Sequence, residues 1–448
     1  MAKIFRPKPQ PLPSAQELTI RALSPEGRGI AQLGKQTVFC ENALPGETVT
    51  AKFVARTGQQ LQAVAIDHLQ TSVDRVQPGC NYAGQCGGCE WLHIQANRQI
   101  ELKQQLLLEN LWRQAKLEPR ELAPAIASSP WEYRNRARLA VWRGADRQYT
   151  LGFRALSSKQ VVPVEQCLVL VPELSALIPE LRHWMVSNGA SRALGHVEVL
   201  SDEQRKAVLL RLNQPLSDKA QQAVLTLAKT LEFDLWLQPQ DEPLQCISSS
   251  APPLYSYRLH EFNVTIDYSV TDFTQVNSRV NERMVAQACD WICPQSSPNN
   301  SALGRVLDLF CGVGNFSLPL ATMAKQVVGV ELSASMVERA AINATQNGMD
   351  NALFVGADLN QDPGSADWAR ESFEAALLDP PRSGAKEAVG FLEKLAVPRL
   401  VYVSCNPATF TRDAKMLAAA GYCLDRLGVM DMFPQTKHTE SMALFTRS

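Results

Sequence analysis

Residues 306–320, VLDLFCGVGNFSLPL, restrict the fold more than any other stretch of this chain. The apolar run ending at Phe310 has the length of one buried strand. Cys311-Gly312-Val313-Gly314 then turns the chain, and a helix is expected from about Asn315. Two glycines between a strand and a helix let backbone N–H groups come close to a ligand, which bulkier residues prevent. Seventeen positions after Gly314, Glu331 closes a second apolar run, QVVGVE. An acid at the tip of the second strand is where a doubly wound sheet grips ribose hydroxyls. By itself such a turn is only a tight strand-to-helix connection.

The rest of the last third keeps the same alternation. A helix over 278–292 precedes it, and a break rich in Pro, Ser and Asn leads in. Strands are expected at 305–310, 327–331, 352–356, 375–379 and 399–404, with helices at 315–324, 333–347, 386–395 and 409–420. A β-rich pair, 422–430 and 441–447, closes the chain. This predicts an α/β domain over 271–448, a doubly wound and mostly parallel sheet with an antiparallel finish. Its strand ends would carry Asp308–Gly314, Glu331, Asp358, Asp379-Pro-Pro-Arg382 and Ser404-Cys405-Asn406-Pro407.

Upstream the pattern changes. Residues 1–13 read as a mobile tail bearing Pro and Lys. From 14 to 75, five short strand-like runs separated by Pro and Gly suggest an OB-like β-barrel. Residues 1–75, tail included, hold nine Lys/Arg against six Asp/Glu. The whole chain, at 448 residues, has a net charge of -1, so a nucleic-acid surface must be local. A central α+β domain is expected over 76–270, with an amphipathic helix at 94–115 whose packing partner the sequence leaves open. Within it, residues 131–154 hold six arginines and five aromatics against two acids. Arg134, Arg136 and Arg138 alternate as on one strand face, a pattern suited to unpaired RNA.

Eleven cysteines, no secretory h-region and no membrane-length apolar run predict a cytoplasmic protein with free thiols or metal ligands. Cys80, Cys86 and Cys89 lie in a glycine-rich loop, and Cys167 is the next cysteine downstream. Four thiolates suit zinc or a [4Fe–4S] cluster, and a triplet plus a remote single cysteine leans toward iron–sulfur. Plain structural thiols are the alternative.

DLFCGVGNF, LLDPPRSG, VYVSCNPATF and FPQTKHTES together resemble the S-adenosylmethionine-dependent RNA uracil-C5 methyltransferases, and the resemblance spans essentially the whole chain. It implies a C-terminal class I methyltransferase sheet, an N-terminal TRAM barrel and a central α+β iron–sulfur domain. Barrel, cysteine loop and length are similar to the branch of the family that acts on 23S rRNA, with a flipped uridine as target and the protein a monomer. The resemblance also implies roles. Cys405 would be the nucleophile and Glu440 the base. Gln275, Phe310, Asn315, Glu331, Asp358 and Asp379 would contact S-adenosylmethionine, and Cys80, Cys86, Cys89 and Cys167 would hold a structural [4Fe–4S] cluster. The loop at 294–304 looks longer than the family pattern.

The chemistry agrees. Uracil C5 is a weak nucleophile until a thiolate adds at C6, and a base must then remove the C5 proton. If the last strand runs antiparallel beside 399–404, Cys405 and Glu440 face one pocket. Three other readings compete: an amino-methyltransferase using the DPPR motif, which needs no thiol; a radical enzyme joining an iron–sulfur cluster to S-adenosylmethionine, whose usual C-x3-C-x2-C spacing differs from the first gap of five here; and a non-catalytic RNA-binding protein.

Overall fold

The computed structural model describes residues 11–240, 242–294, 303–361 and 366–447. Most of the expected tail and of the long 294–304 loop lie outside the described residues.

Period-two burial builds the N-terminal sheet, with Leu18, Val38, Val49 and Leu61 filling its interior. It has six strands, one more than expected, because Ala22–Leu23 forms a short hairpin partner for Gly29–Leu33. Gln60–Gln70 lies between Thr48–Thr57 and Gln36–Glu41 and pairs with the latter in parallel.

The central part is a seven-stranded mixed sheet covered by the helices Pro172–Ser187 and Asp218–Leu231, which share one apolar core with it. The cysteine loop lies at its edge as turns, touching it through a bridge between Cys86 and Ala155. The expectation of an iron–sulfur domain is corrected here. Among the described residues, no three His, Cys, Asp or Glu side chains are grouped so as to hold a metal ion. The central unit is an α+β domain organised by its apolar core, with Leu139, Leu151, Val197 and Leu210 fully buried.

The C-terminal sheet has eight strands. Their order is Ala352–Gly356, Ala324–Glu331, Leu303–Leu309, Ala375–Leu378, Arg399–Ser404, Glu440–Thr446, Cys423–Met430 and Glu121–Leu122. The first five are parallel, and Glu440–Thr446 is antiparallel to both neighbours. Strand order reverses at Leu303–Leu309, the switch point of a doubly wound sheet. Helices cover both faces. Ser278–Ile292 and Ala334–Gln346 pack into one core, and Lys386–Leu395 and Pro407–Ala419 into the other. The helix expected at 315–324 is only Ser317–Ala321, because the next strand already begins at Ala324.

The amphipathic helix is Ala96–Ala115. Leu107 and Leu111, one turn apart, enter the second of these cores. Its Asn110 amide donates to the Pro407 carbonyl at 3.2 Å and to Thr411 Oγ1 at 2.9 Å. The helix after the barrel is therefore bolted to the C-terminal sheet, whose edge strand Glu121–Leu122 follows it in sequence. No helix among the described residues is long and apolar enough to cross a membrane.

Candidate active site

At the carboxyl end of Leu303–Leu309 the chain turns through Phe310, Gly312 and Gly314, all at positive φ (66°, 57° and 98°). Glu331 ties this turn to the next helix. Its Oε2 accepts from the Gly312 N–H at 3.2 Å, and its Oε1 from the N–H groups of Leu332 and Ser333 at 2.8 and 2.9 Å. A Cβ added at Gly312 would meet no atom within 4 Å, so the turn faces open space there. Beneath it Asp308 is fully buried. Its Oδ2 accepts from Ser317 Oγ at 2.5 Å, its Oδ1 has no partner, and burial pushes the carboxyl up to about 7.

The other expected cofactor contacts stand differently. Asp358 is held below the usual carboxylate range by the Asn360 N–H and then by the Gln361 amide. Asp379 follows Ala375–Leu378, and burial pushes it up to about 7. Asn315 is turned into the protein. Its Oδ1 accepts from Tyr257 Oη at 2.8 Å and from the Asn281 amide at 3.0 Å. Gln275 lies, partly buried, in the segment before Ser278–Ile292.

Cys405 and Glu440 come together through strand register. Ser404 pairs with Ser441 across the antiparallel strands, so Cys405 and Glu440 emerge side by side at one end of the sheet. Asn406 accepts from the Ala408 N–H and caps Pro407–Ala419, which fixes the turn that carries Cys405. Cys405 lines a cleft of about 430 Å³ with Arg382, Asn406, His438 and Thr439, and Pro25 and Glu26 of the barrel line it too. Burial, then the Glu440 and Asp379 carboxylates, push the Cys405 thiol up to about 11, while Arg382 opposes them. Glu440 is buried, and that burial together with Asp379 raises it to about 8; Arg382 and Lys103 pull the other way. The Arg382 backbone is anchored to the turn that carries Cys405, since its carbonyl accepts from the Asn406 amide at 2.9 Å and Thr409 Oγ1 at 3.2 Å.

The arginine-rich strand divides its residues. Arg136 donates to the carbonyls of Val270 and Asp272, and Arg136, Arg138 and Arg211 converge on Glu198. Arg134 lies 5.9 Å from the centroid of the Phe433 ring. Together with Arg138, Trp131 and Phe433, it lines a cavity of about 350 Å³ that Cys80, Cys86, Cys89 and Cys167 also face. Burial raises Cys86, Cys89 and Cys167, and each also feels its neighbours' charge.

The sequence reading missed Lys103, Gln99, Asp431 and the positioning of Arg382. The DPPRSG motif carried Arg382, but the other three are polar residues without a motif. Only their position on the apolar face of Ala96–Ala115 marked Gln99 and Lys103.

Comparison with known proteins completes the picture. Residues 95–361 and 364–448 match the family described as tRNA (Uracil-5-)-methyltransferase, and residues 14–66 match the TRAM domain. Two curated relatives carry the name 23S rRNA (uracil(1939)-C(5))-methyltransferase RlmD. That of Pseudomonas syringae pv. tomato is 43% identical over 436 residues, covering 97% of this chain and 94% of the relative. That of Vibrio vulnificus strain CMCP6 is 40% identical over 450 residues, covering 100% of both chains. A crystal structure of Pyrococcus abyssi tRNA (uracil-54, C5)-methyltransferase in complex with S-adenosyl-L-homocysteine superposes with a TM-score of 0.72. It is 24% identical and covers 96% of this chain and 100% of that one, a likeness of fold. Matched in sequence across both its barrel and its catalytic sheet, the chain belongs to the RNA uracil-C5 methyltransferase family, with an N-terminal TRAM domain.

Proposed function

We propose that this chain is an S-adenosylmethionine-dependent methyltransferase acting on C5 of a uridine in 23S rRNA, at the position named for its relatives, uracil 1939. The observation that carries the reading is the register of Ser404 against Ser441, which sets a thiol and a carboxyl at neighbouring positions at one end of the sheet. The Cys405 sulfur adds to C6, and the electrons of the C5–C6 double bond pass into the ring as an enolate. C5 then takes the methyl group, whose bond to the donor sulfur breaks. Glu440 accepts the C5 proton, the C5–C6 double bond re-forms, and the C6–S bond breaks to return the sulfur as the thiolate that entered. Arg382 eases both ionisations.

The donor site fits the positive-φ turn at 310–314 and the open space over Gly312, with Glu331 beside it. Gln275, Phe310, Asp358 and Asp379 would be its further contacts. Asn315 would contact through its backbone or its remaining N–H, since its oxygen is already engaged. A base inside an RNA stack cannot reach the cleft, so the uridine would be flipped outward, with the barrel wall at Pro25 and Glu26 beside it.

Apart from the reaction, a [4Fe–4S] cluster at Cys80, Cys86, Cys89 and Cys167 is supported only by the donor set, four thiols facing one cavity. No step above passes through it. Iron and sulfide content of anaerobically purified protein tests it, and iron-free protein of full activity removes it.

The function is tested by incubating the enzyme and methyl donor with a 23S rRNA fragment carrying 5-fluorouridine. Fluorine cannot leave as a proton, so a covalent RNA–protein adduct mapping to Cys405 is expected. Methylation without any adduct would favour the amino-methyltransferase reading.

A further inference from the structure

Gln99 and Lys103 lie one turn apart on Ala96–Ala115, with 1% and 0% of their surface exposed, on a face that an amphipathic helix ordinarily fills with leucine. Both reach the same segment. Lys103 Nζ donates to Asp431 Oδ1 at 2.7 Å and to the Phe433 carbonyl at 3.1 Å. The Gln99 amide donates to Gln435 Oε1 at 2.9 Å, and its Oε1 accepts from the Gln435 N–H at 2.8 Å. Two further bonds come from elsewhere: the Trp91 N–H donates to the Gln435 carbonyl, and Tyr133 Oη to that of Pro434. Residues 431–435 leave the end of Cys423–Met430 and lead, five residues later, to Glu440 at the start of the last strand.

We propose that Lys103, acting through Asp431, is the positioning residue for Glu440, so that the helix following the barrel governs proton removal from C5 rather than addition of the thiol to C6. The inference rests on the reading of Glu440 as the base.

A buried ammonium and carboxylate persist only as a pair with further hydrogen bonds, and the Phe433 carbonyl supplies one. The charge is also felt at the base. Lys103 favours ionised Glu440, as Arg382 does, against burial and Asp379. Burial lowers the Lys103 ammonium, and Asp431, Glu440 and Glu90 oppose that. Geometry ties the pair to the base: Asp431 directly follows Met430, which pairs with Glu440 across the antiparallel strands, whereas the foremost charges on Cys405 are Glu440, Asp379 and Arg382.

The test uses the full chain with Lys103→Met, and with Lys103→Met/Asp431→Leu, in which no lone charge is left inside. The double variant should melt near the unaltered enzyme. Both variants should form the 5-fluorouridine adduct at close to the unaltered rate. On unmodified RNA their kcat should fall by about tenfold or more, with little change in KM for RNA and the rising limb of the pH profile moved to higher pH. A double variant with unaltered kcat and pH profile would reduce the pair to packing and overturn the proposal. Equal loss of adduct and turnover in the folded double variant would overturn it too. No adduct in the unaltered enzyme would sink the covalent reading and this inference with it.

Discussion

Cys405 and Glu440 stand beside each other because Ser404 and Ser441 are the last paired residues of two antiparallel strands. A register slip of one residue would turn Glu440 to the opposite face. The two residues should therefore fail in different ways. Cys405→Ala should fold normally, methylate no RNA and form no adduct. Glu440→Gln should still add its thiol to the base but lose about 10²–10⁴-fold in kcat. Its adduct with unmodified RNA should persist long enough to appear on a denaturing gel.

The acidity of the pair gives a pH prediction. Glu440 acts only when ionised, and burial holds it at about 8. In single-turnover assays the methylation rate should climb with pH, steeply below about 8 and more gently above it as the Cys405 thiol, at about 11, continues to ionise. Arg382 lowers both Glu440 and Cys405. Arg382→Met should move the limb to higher pH and slow the reaction at neutrality, and an unmoved limb would assign Arg382 to RNA binding alone.

Asp308 yields a stability prediction. Its folded value of about 7 exceeds the roughly 4 of an unfolded aspartate. The protonated carboxyl therefore contributes stability fully below about pH 4, and this is lost as pH rises through 7. Asp379 and Glu440 act in the same direction. Asp308→Asn, which still offers Ser317 an acceptor, should flatten the fall in urea stability between pH 5 and 8 without abolishing it.

The two glycines of the turn should differ. Gly312 needs only its positive φ, so Gly312→Ala should cost about 1 kcal/mol in unfolding free energy. At Gly314 a Cβ would also stand 3.2 Å from Leu318 Cγ. Gly314→Ala should cost more, about 2 kcal/mol, and calorimetric melts of the two variants check the order.

The sequence by itself determined the order of strands and helices in the catalytic sheet and the residues at its strand ends. Those follow from local periodicity and from glycines that a tight turn requires. Helix lengths were less legible: Ser317–Ala321 stops early because the neighbouring strand claims Ala324. The arginine stripe read as one RNA-binding face, yet Glu198, about sixty residues on, takes two of its three members into ion pairs. The central domain's cysteines were expected to organise it, and its apolar core does so instead. Only the tertiary structure decided that the helix after the barrel belongs against the catalytic sheet, and that Lys103 meets Asp431 some 328 positions away. No local pattern encodes such a contact, because a buried charge is tolerated only where the fold delivers its partner.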